Sequence, residues 1–169
     1  GQDPLYAEKI IAQFRIPLSE QEQTKKGLLL LLEKFRESEL GRYLLDCEQQ
    51  SEVRVSLALE NGTLTGIFDR LFKNKDGCWE VLDFKTNRIG RAGLSGLVKK
   101  YIPQVQYYAV LLASLFPGQK VYLVRLFFLN TMQDFQSVFS EKEISRLQKE
   151  AGEIIEKINW LGQELMMDS

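Results

Sequence analysis

Histidine is missing altogether from this chain of 169 residues. That excludes a Ser-His-Asp triad, a Cys-His pair, a zinc site of the HExxH kind and any histidine general base. Chemistry here must rest on carboxylates, lysine, tyrosine or metal-bound water. Cysteine is nearly missing too: Cys47 and Cys78 form at most one disulfide and cannot supply the four thiolates of an iron–sulfur cluster. With so few cysteines the expected compartment is the cytoplasm. No apolar run approaches the roughly 20 residues that cross a bilayer, and Leu28 to Leu32 falls far short, so no membrane partner is expected. No secretory signal is visible, and the first residue is Gly1 rather than Met, which suggests a processed start or a domain cut from a longer protein. A Gly-Lys-Ser/Thr phosphate loop is lacking, so no ATP site is expected in this fragment. There is no internal repeat and no low-complexity tract.

What remains has the makings of one soluble globular domain, 44% hydrophobic and 27% charged, long enough to bury a core. The formal net charge of −1 gives no overall field to attract a polyanion. The distribution is more telling. Between Arg70 and Lys100 stand eight bases (Arg70, Lys73, Lys75, Lys85, Arg88, Arg91, Lys99 and Lys100) against three acids, Asp76, Glu80 and Asp83. A basic segment of this kind suits a nucleic-acid backbone or, more blandly, a solvated surface.

Residues 1–18 form a lead-in of uncertain period, with Ile10, Ile11, Phe14 and Ile16 apolar; residues 19–169 are read as the domain proper. Ser19 with Glu22 resembles a capping box, which predicts a helix from about Glu20. That helix runs through Leu28 to Leu32, apolar nearly all round and therefore expected to be buried, until Gly41 breaks it. Glu52 to Leu59 alternates as a strand, Asn61-Gly62 marks a hairpin, and Leu64 to Phe72 returns. A turn near Asp76-Gly77 leads into a third strand, Trp79 to Lys85. Thr86 to Lys100, with three glycines, reads as a mobile basic loop, and Pro103 as part of the first turn of a helix reaching about Leu115. Lys120 to Leu129 and Gln133 to Phe139 are two more strands, the second an edge. From Glu141 a last helix carries Ile144, Leu147, Ala151, Ile154, Ile158, Leu161 and Leu165 as an apolar seam, expected to dock mainly on this domain's own sheet.

Chemistry concentrates between Gly66 and Thr86. Asp69 lies near the end of one strand, and Asp83 and Lys85 close the next. Val81, Asp83 and Lys85 fall on one face, Leu82 and Phe84 on the other. Charged side chains are seldom gathered on a core strand without a partner or a metal. Two acids and a base at strand ends suit a hard cation and a polarised water, or else a buried Asp–Lys pair. Downstream, Gln104 and Tyr108 stand four apart on one helical face.

Gly66-Ile67-Phe68-Asp69-Arg70, then Val81-Leu82-Asp83-Phe84-Lys85-Thr86, then Gln104 with Tyr108 resemble, in that order, the nuclease domain of the RecB/AddA family within the PD-(D/E)xK superfamily. The resemblance implies an α/β fold of the restriction-endonuclease-like kind: a mixed sheet of about five strands, opening as an antiparallel meander and flanked by helices. It implies that Asp69, Asp83 and the backbone carbonyl of Phe84 hold Mg²⁺ or Mn²⁺, with Glu52 as a further acid acting directly or through water. Lys85 would orient the attacking water and offset charge on the scissile phosphate, while Gln104 and Tyr108 position the lysine or a phosphate. Lys73, Lys75, Arg88, Arg91, Lys99 and Lys100 would contact DNA, expected to be single-stranded and delivered by helicase domains of the same chain or complex. The implied activity is exonucleolytic cleavage in DNA recombination and repair. One departure stands out. Many members carry a histidine ligand on the helix before the first strand, where this chain has Leu28 to Leu32. That leaves a second reading, a catalytically silent fold that binds or guides DNA.

Overall fold

The computed structural model describes residues 17–87 and 93–167, with side chains described as far as Leu161. Two helices come first, α1 (Leu18–Glu37) and α2 (Glu39–Leu44). Three strands follow, β1 (Gln49–Leu59), β2 (Gly62–Lys73) and β3 (Trp79–Lys85). A long helix α3 (Gly93–Leu115) crosses to β4 (Val121–Phe128), then β5 (Gln133–Ser140) and the terminal helix α4 (Glu141–Met167).

The strands form one mixed sheet in the order β1-β2-β3-β4-β5. β1–β2, β2–β3 and β4–β5 are antiparallel, and only β3–β4 is parallel. A parallel neighbour needs a crossover long enough to return to the same end of the sheet, and α3 is that crossover. The five expected strands are all present within a few residues of their expected ends, and β5 is an edge.

Alternation sorts the sheet into two cores. On one face Phe68, Val81, Val124, Leu126 and Phe128 pack with Val105, Tyr108, Leu111 and Leu112 of α3 and with Ile144 and Leu147 of α4. On the other, Phe72, Leu82 and Phe127 pack with Leu40 and Leu44 of α2, and Phe35 of α1 sets its ring edge-on against Phe84 at 5.3 Å. Val81 and Asp83 thus face α3, while Leu82 and Phe84 face α1 and α2.

Several local expectations are corrected. α1 starts one residue after Pro17, whose backbone is extended and which carries no side-chain cap bond, so Ser19 and Glu22 form no capping box. The box occurs instead at α4, where the Ser140 amide donates to Glu143 Oε2 at 2.8 Å. Nor is α1 buried: among the described residues it has no buried side chain, and Leu30 is 51% exposed. Among the described residues it meets the domain chiefly through α2 and Phe35, and Leu28, Leu29, Leu31 and Leu32 are half-buried. The chain breaks at Ser38, not at Gly41. Gly41 lies inside α2 because a Cβ there would sit 1.8 Å from the Phe35 carbonyl oxygen. Gly41→Ala should therefore cost about 3 kcal/mol, the upper range for overpacking, read as a lower urea midpoint at unchanged slope.

Gly93 to Lys100 is helical rather than a loop, and Pro103 sits inside α3 rather than in its first turn. Pro103 is exposed there, so water can reach the carbonyl one turn back that loses its helical partner. α4 docks along one stripe, in which Ala151 and Ile155 also pack against the core and Asn159 donates to the Asn61 carbonyl at 2.7 Å. Ile144 and Leu147 are buried, but Ile154, Ile158 and Leu161 are 57%, 61% and 52% exposed. Of the remaining seam residues, Ala151 is half-buried against the core, and Leu165 lies outside the described side chains. No helix among the described residues is long and apolar enough to cross a membrane.

Candidate active site

The site forms where β2 and β3 part. Their ladder ends at Arg70 opposite Leu82, and beyond it Asp69 Oδ2 accepts the Phe84 amide at 2.8 Å. The side chain of one strand thus replaces the backbone of its neighbour. A residue's N–H and C=O leave a strand on the same side, so the Phe84 carbonyl also faces this gap. The next carbonyl, that of Lys85, turns the other way and accepts from Leu129 at 2.9 Å.

Simple alternation does not put Asp69 there. Phe68 and Leu71 lie in the same core, and Phe72 lies in the other, so β2 changes face between Phe68 and Leu71. The cause is visible across the ladder. Ser51 pairs with Arg70 and Val53 with Phe68, but Glu52, between them, is unpaired and has φ 54°. A non-glycine residue in that left-handed region is uncommon and clusters at functional sites. Relieving it by Glu52→Gly is expected to raise stability by up to about 1 kcal/mol, the left-handed penalty less glycine's own entropy. Thermal melts of the two proteins would show it.

Asp83 is 4% exposed. Its Oδ2 lies 2.5 Å from Lys85 Nζ, and Lys85 Nζ in turn donates to Gln104 Oε1 at 2.7 Å. Gln104 closes the ring by donating Nε2 to Asp83 Oδ1 at 3.2 Å. Burial raises the Asp83 pKa, and the hydrogen bond and charge of Lys85 only partly pull it back. Asp83 Oδ2 is buried and is held by the Lys85 ammonium, an ion pair whose geometry falls outside a well-directed hydrogen bond. A carboxylate so buried is costly without a cation beside it.

Tyr108 donates its hydroxyl to the Ile67 carbonyl at 2.8 Å, fixing β2 two residues before Asp69. Burial pushes its pKa up, so the hydroxyl stays protonated and donating. The neighbouring Tyr107 donates likewise to the Thr65 carbonyl. Both reach β2 because Gly66 lies between: a Cβ there would fall 2.6 Å from Leu111 and 3.3 Å from the Tyr107 ring.

The structure therefore brings together Asp69, Asp83, Phe84, Lys85, Gln104 and Tyr108. It does not gather Glu52 with them: Glu52 is exposed, and no three acids, histidines or cysteines cluster as a metal site among the described residues. The lysines expected to meet DNA are dispersed. Lys99 and Lys100 are exposed on α3, whereas Lys75 lies on the α2 side of the sheet, 5.1 Å above the Tyr43 ring. Lys73 is exposed at the end of β2; Arg88 and Arg91 lie outside the described residues.

Two features escaped the sequence. Tyr101 places its ring 4.3 Å from Lys85 Nζ. It is three residues before Gln104 and seven before Tyr108, a helical stripe visible only if α3 is started at Gly93. On the far face, Glu80 is 1% exposed and is held by Arg125 Nε at 2.7 Å and Gln136 Nε2 at 2.8 Å.

Hard oxygen donors are what this site offers a metal: two carboxylates, one of them buried, and a main-chain carbonyl facing the same gap. That set fits Mg²⁺ or Mn²⁺, which are commonly held by one or two carboxylates with substrate oxygens completing the shell.

Comparison with known proteins agrees with the fold. A solved structure from Eubacterium rectale, described as a "putative exonuclease", superposes with a TM-score of 0.54 at 13% identity, over 93% of this chain and 63% of the other. The crystal structure of SSO0001 aligns at 19% identity and a TM-score of 0.42, over 88% of this chain and 66% of that one. The chain thus spans about two thirds of the length of each. None of the curated proteins matches it. The family model for the PD-(D/E)XK nuclease superfamily matches residues 5–165. With that match over nearly its whole length, and a mixed five-stranded sheet flanked by helices, the chain belongs to the PD-(D/E)XK nuclease superfamily.

Proposed function

We propose that the chain is a metal-dependent deoxyribonuclease domain of the RecB/AddA type, acting as an exonuclease on single strands within a larger helicase–nuclease. The observation that carries this is the convergence of Asp69, the Phe84 backbone, Asp83 and Lys85 at one gap, with Asp83 buried and paired to Lys85. Asp69, Asp83 and the Phe84 carbonyl would hold Mg²⁺ or Mn²⁺, with Glu52, across the ladder from Asp69, reaching it through water. Bound there, the ion offsets the charge that builds on a phosphodiester and favours an ionised attacking water.

The remaining work falls to the chain's own groups. Gln104 holds both Asp83 and Lys85, so acid and base keep one spacing. Lys85, with no anion other than Asp83 among its described contacts, is the group that can meet the phosphate and orient water. Tyr108 anchors the β2 backbone that carries Asp69. Lys99 and Lys100, exposed on the helix that supplies Gln104, would guide the strand toward the gap, and Lys73, Lys75, Arg88 and Arg91 would add sequence-independent phosphate contacts.

Incubation of the chain with single-stranded DNA and Mn²⁺ tests this. Cleavage is expected, and Asp83→Ala run alongside should abolish it; equal cleavage by both would reject the assignment. A catalytically silent fold is favoured by one observation: the leucines of α1 stand where the family's histidine would be. That reading requires the chain to bind DNA without cutting it in either Mg²⁺ or Mn²⁺.

A further inference from the structure

Lys85 makes three described contacts, and the third is unusual for a lysine beside a metal site. Its ammonium touches Asp83 Oδ2 at 2.5 Å and Gln104 Oε1 at 2.7 Å, and the Tyr101 ring lies 4.3 Å from Nζ. Lys85's side chain is only 12% exposed, so little water remains to solvate the charge, and an aromatic face attracts a cation more strongly once it is desolvated.

The ring itself is held from two sides. Its hydroxyl donates to Asn87 Oδ1 at 2.5 Å, and it rests against Phe128 of β4 at 6.4 Å between centroids. The chain between Lys85 and Asn87 is tied as well: Asn130 donates to the Thr86 carbonyl and Leu129 to that of Lys85. Ring and lysine thus belong to one braced end of β3.

We propose that Tyr101 is a positioning residue that keeps Lys85 over the reacting phosphate once Asp83 is engaged by a divalent ion, an inference that rests on the nuclease reading. A cation at Asp83 takes the lone pairs that Lys85 now faces and brings a like charge close to the ammonium. Coulomb repulsion would then turn Lys85 toward solvent. Gln104 offers one neutral acceptor against this. Tyr101 offers a second attraction that cannot be diverted, because an uncharged ring face is no ligand for a hard ion whose shell is built from oxygen.

The test uses the 169-residue chain with Tyr101→Phe, which keeps the ring and loses the Asn87 bond, and Tyr101→Leu, which loses both. In the metal-free protein, ring current should move the Lys85 ε-methylene protons upfield in the wild type and in Tyr101→Phe, and not in Tyr101→Leu. With Mn²⁺ and a single-stranded oligonucleotide, Tyr101→Leu should lower kcat about tenfold, the size of effect such a contact supports. KM and the Mn²⁺ dissociation constant should stay within about twofold for both variants, and Tyr101→Phe should keep its kcat within the same margin. No upfield shift in the wild type, full kcat in Tyr101→Leu, or Tyr101→Phe as slow as Tyr101→Leu would each overturn the proposal. A wild-type chain that shows the shift but cleaves nothing would instead overturn the nuclease reading and, with it, any positioning role for the ring.

Discussion

Lys85→Ala should leave the chain folded and able to bind Mn²⁺, yet lower the rate of single-strand cleavage by about a hundred- to ten-thousandfold, the range spanned by a positioned proton-transfer group. β3 ends at Lys85, the pleat turns it to the α3 face with Asp83, and Gln104 locks the two at hydrogen-bond distance. Nothing in this arrangement makes Lys85 a metal ligand, so its loss should divide binding from chemistry. The carboxylates behave differently. Asp83 is buried and its pKa is raised mainly by that burial; its removal should take metal binding and cleavage together. Rapid-quench kinetics under single-turnover conditions, beside a Mn²⁺ titration of each variant, would separate the two patterns. A Lys85→Ala protein that cleaves at the wild-type rate would leave the lysine with only an ion-pairing role.

The second large effect is on stability and lies on the opposite face of the sheet. Arg125→Ala is expected to cost about 3–5 kcal/mol, because removal of one partner strands a buried charge. Glu80 is 1% exposed and sits in β3 between two core strands. Arg125 reaches it from the neighbouring strand and also pairs with Asp134 on β5. Gln136 alone would remain to hold the carboxylate, which places the cost toward the lower end of that range. Replacing both charged residues, as Glu80→Leu with Arg125→Met, should restore much of the loss, since a buried pair exchanged for apolar groups of similar size is often nearly neutral. Urea denaturation of the three proteins measures both numbers. An Arg125→Ala midpoint equal to the wild type would show that Glu80 is adequately solvated without it.

The sheet and the core of the site were legible in the sequence for a simple reason. Period-two alternation and the Asn61-Gly62 turn are local signals, and so is the order Asp69, Asp83, Lys85, Gln104, Tyr108. Alternation also places Asp83 and Lys85 on one face, as found. What was not legible depends mostly on partners distant in sequence. Gly41 looked like a helix breaker because glycine's conformational freedom is the usual reason for its presence; the close approach of the Phe35 carbonyl, though near in sequence, follows from the angle between α1 and α2 and not from residue type. The leucines of α1 suggested burial, but burial needs something to pack against. Pro103 suggested a helix start, although an exposed proline is tolerated further in. The change of face at Asp69 could not be read at all, since it depends on Glu52 taking a left-handed backbone that its residue type disfavours. Nor could Glu80 be told from a surface acid until Arg125 was seen beside it.

Asp69 and Asp83 are expected to ligate one divalent ion together, and calorimetric titration with Mn²⁺ tests that most directly. Wild-type chain should bind one ion, and Asp69→Asn and Asp83→Asn should each abolish the binding heat while remaining folded. Binding that survives both substitutions unchanged, or no binding by the wild type, would contradict it.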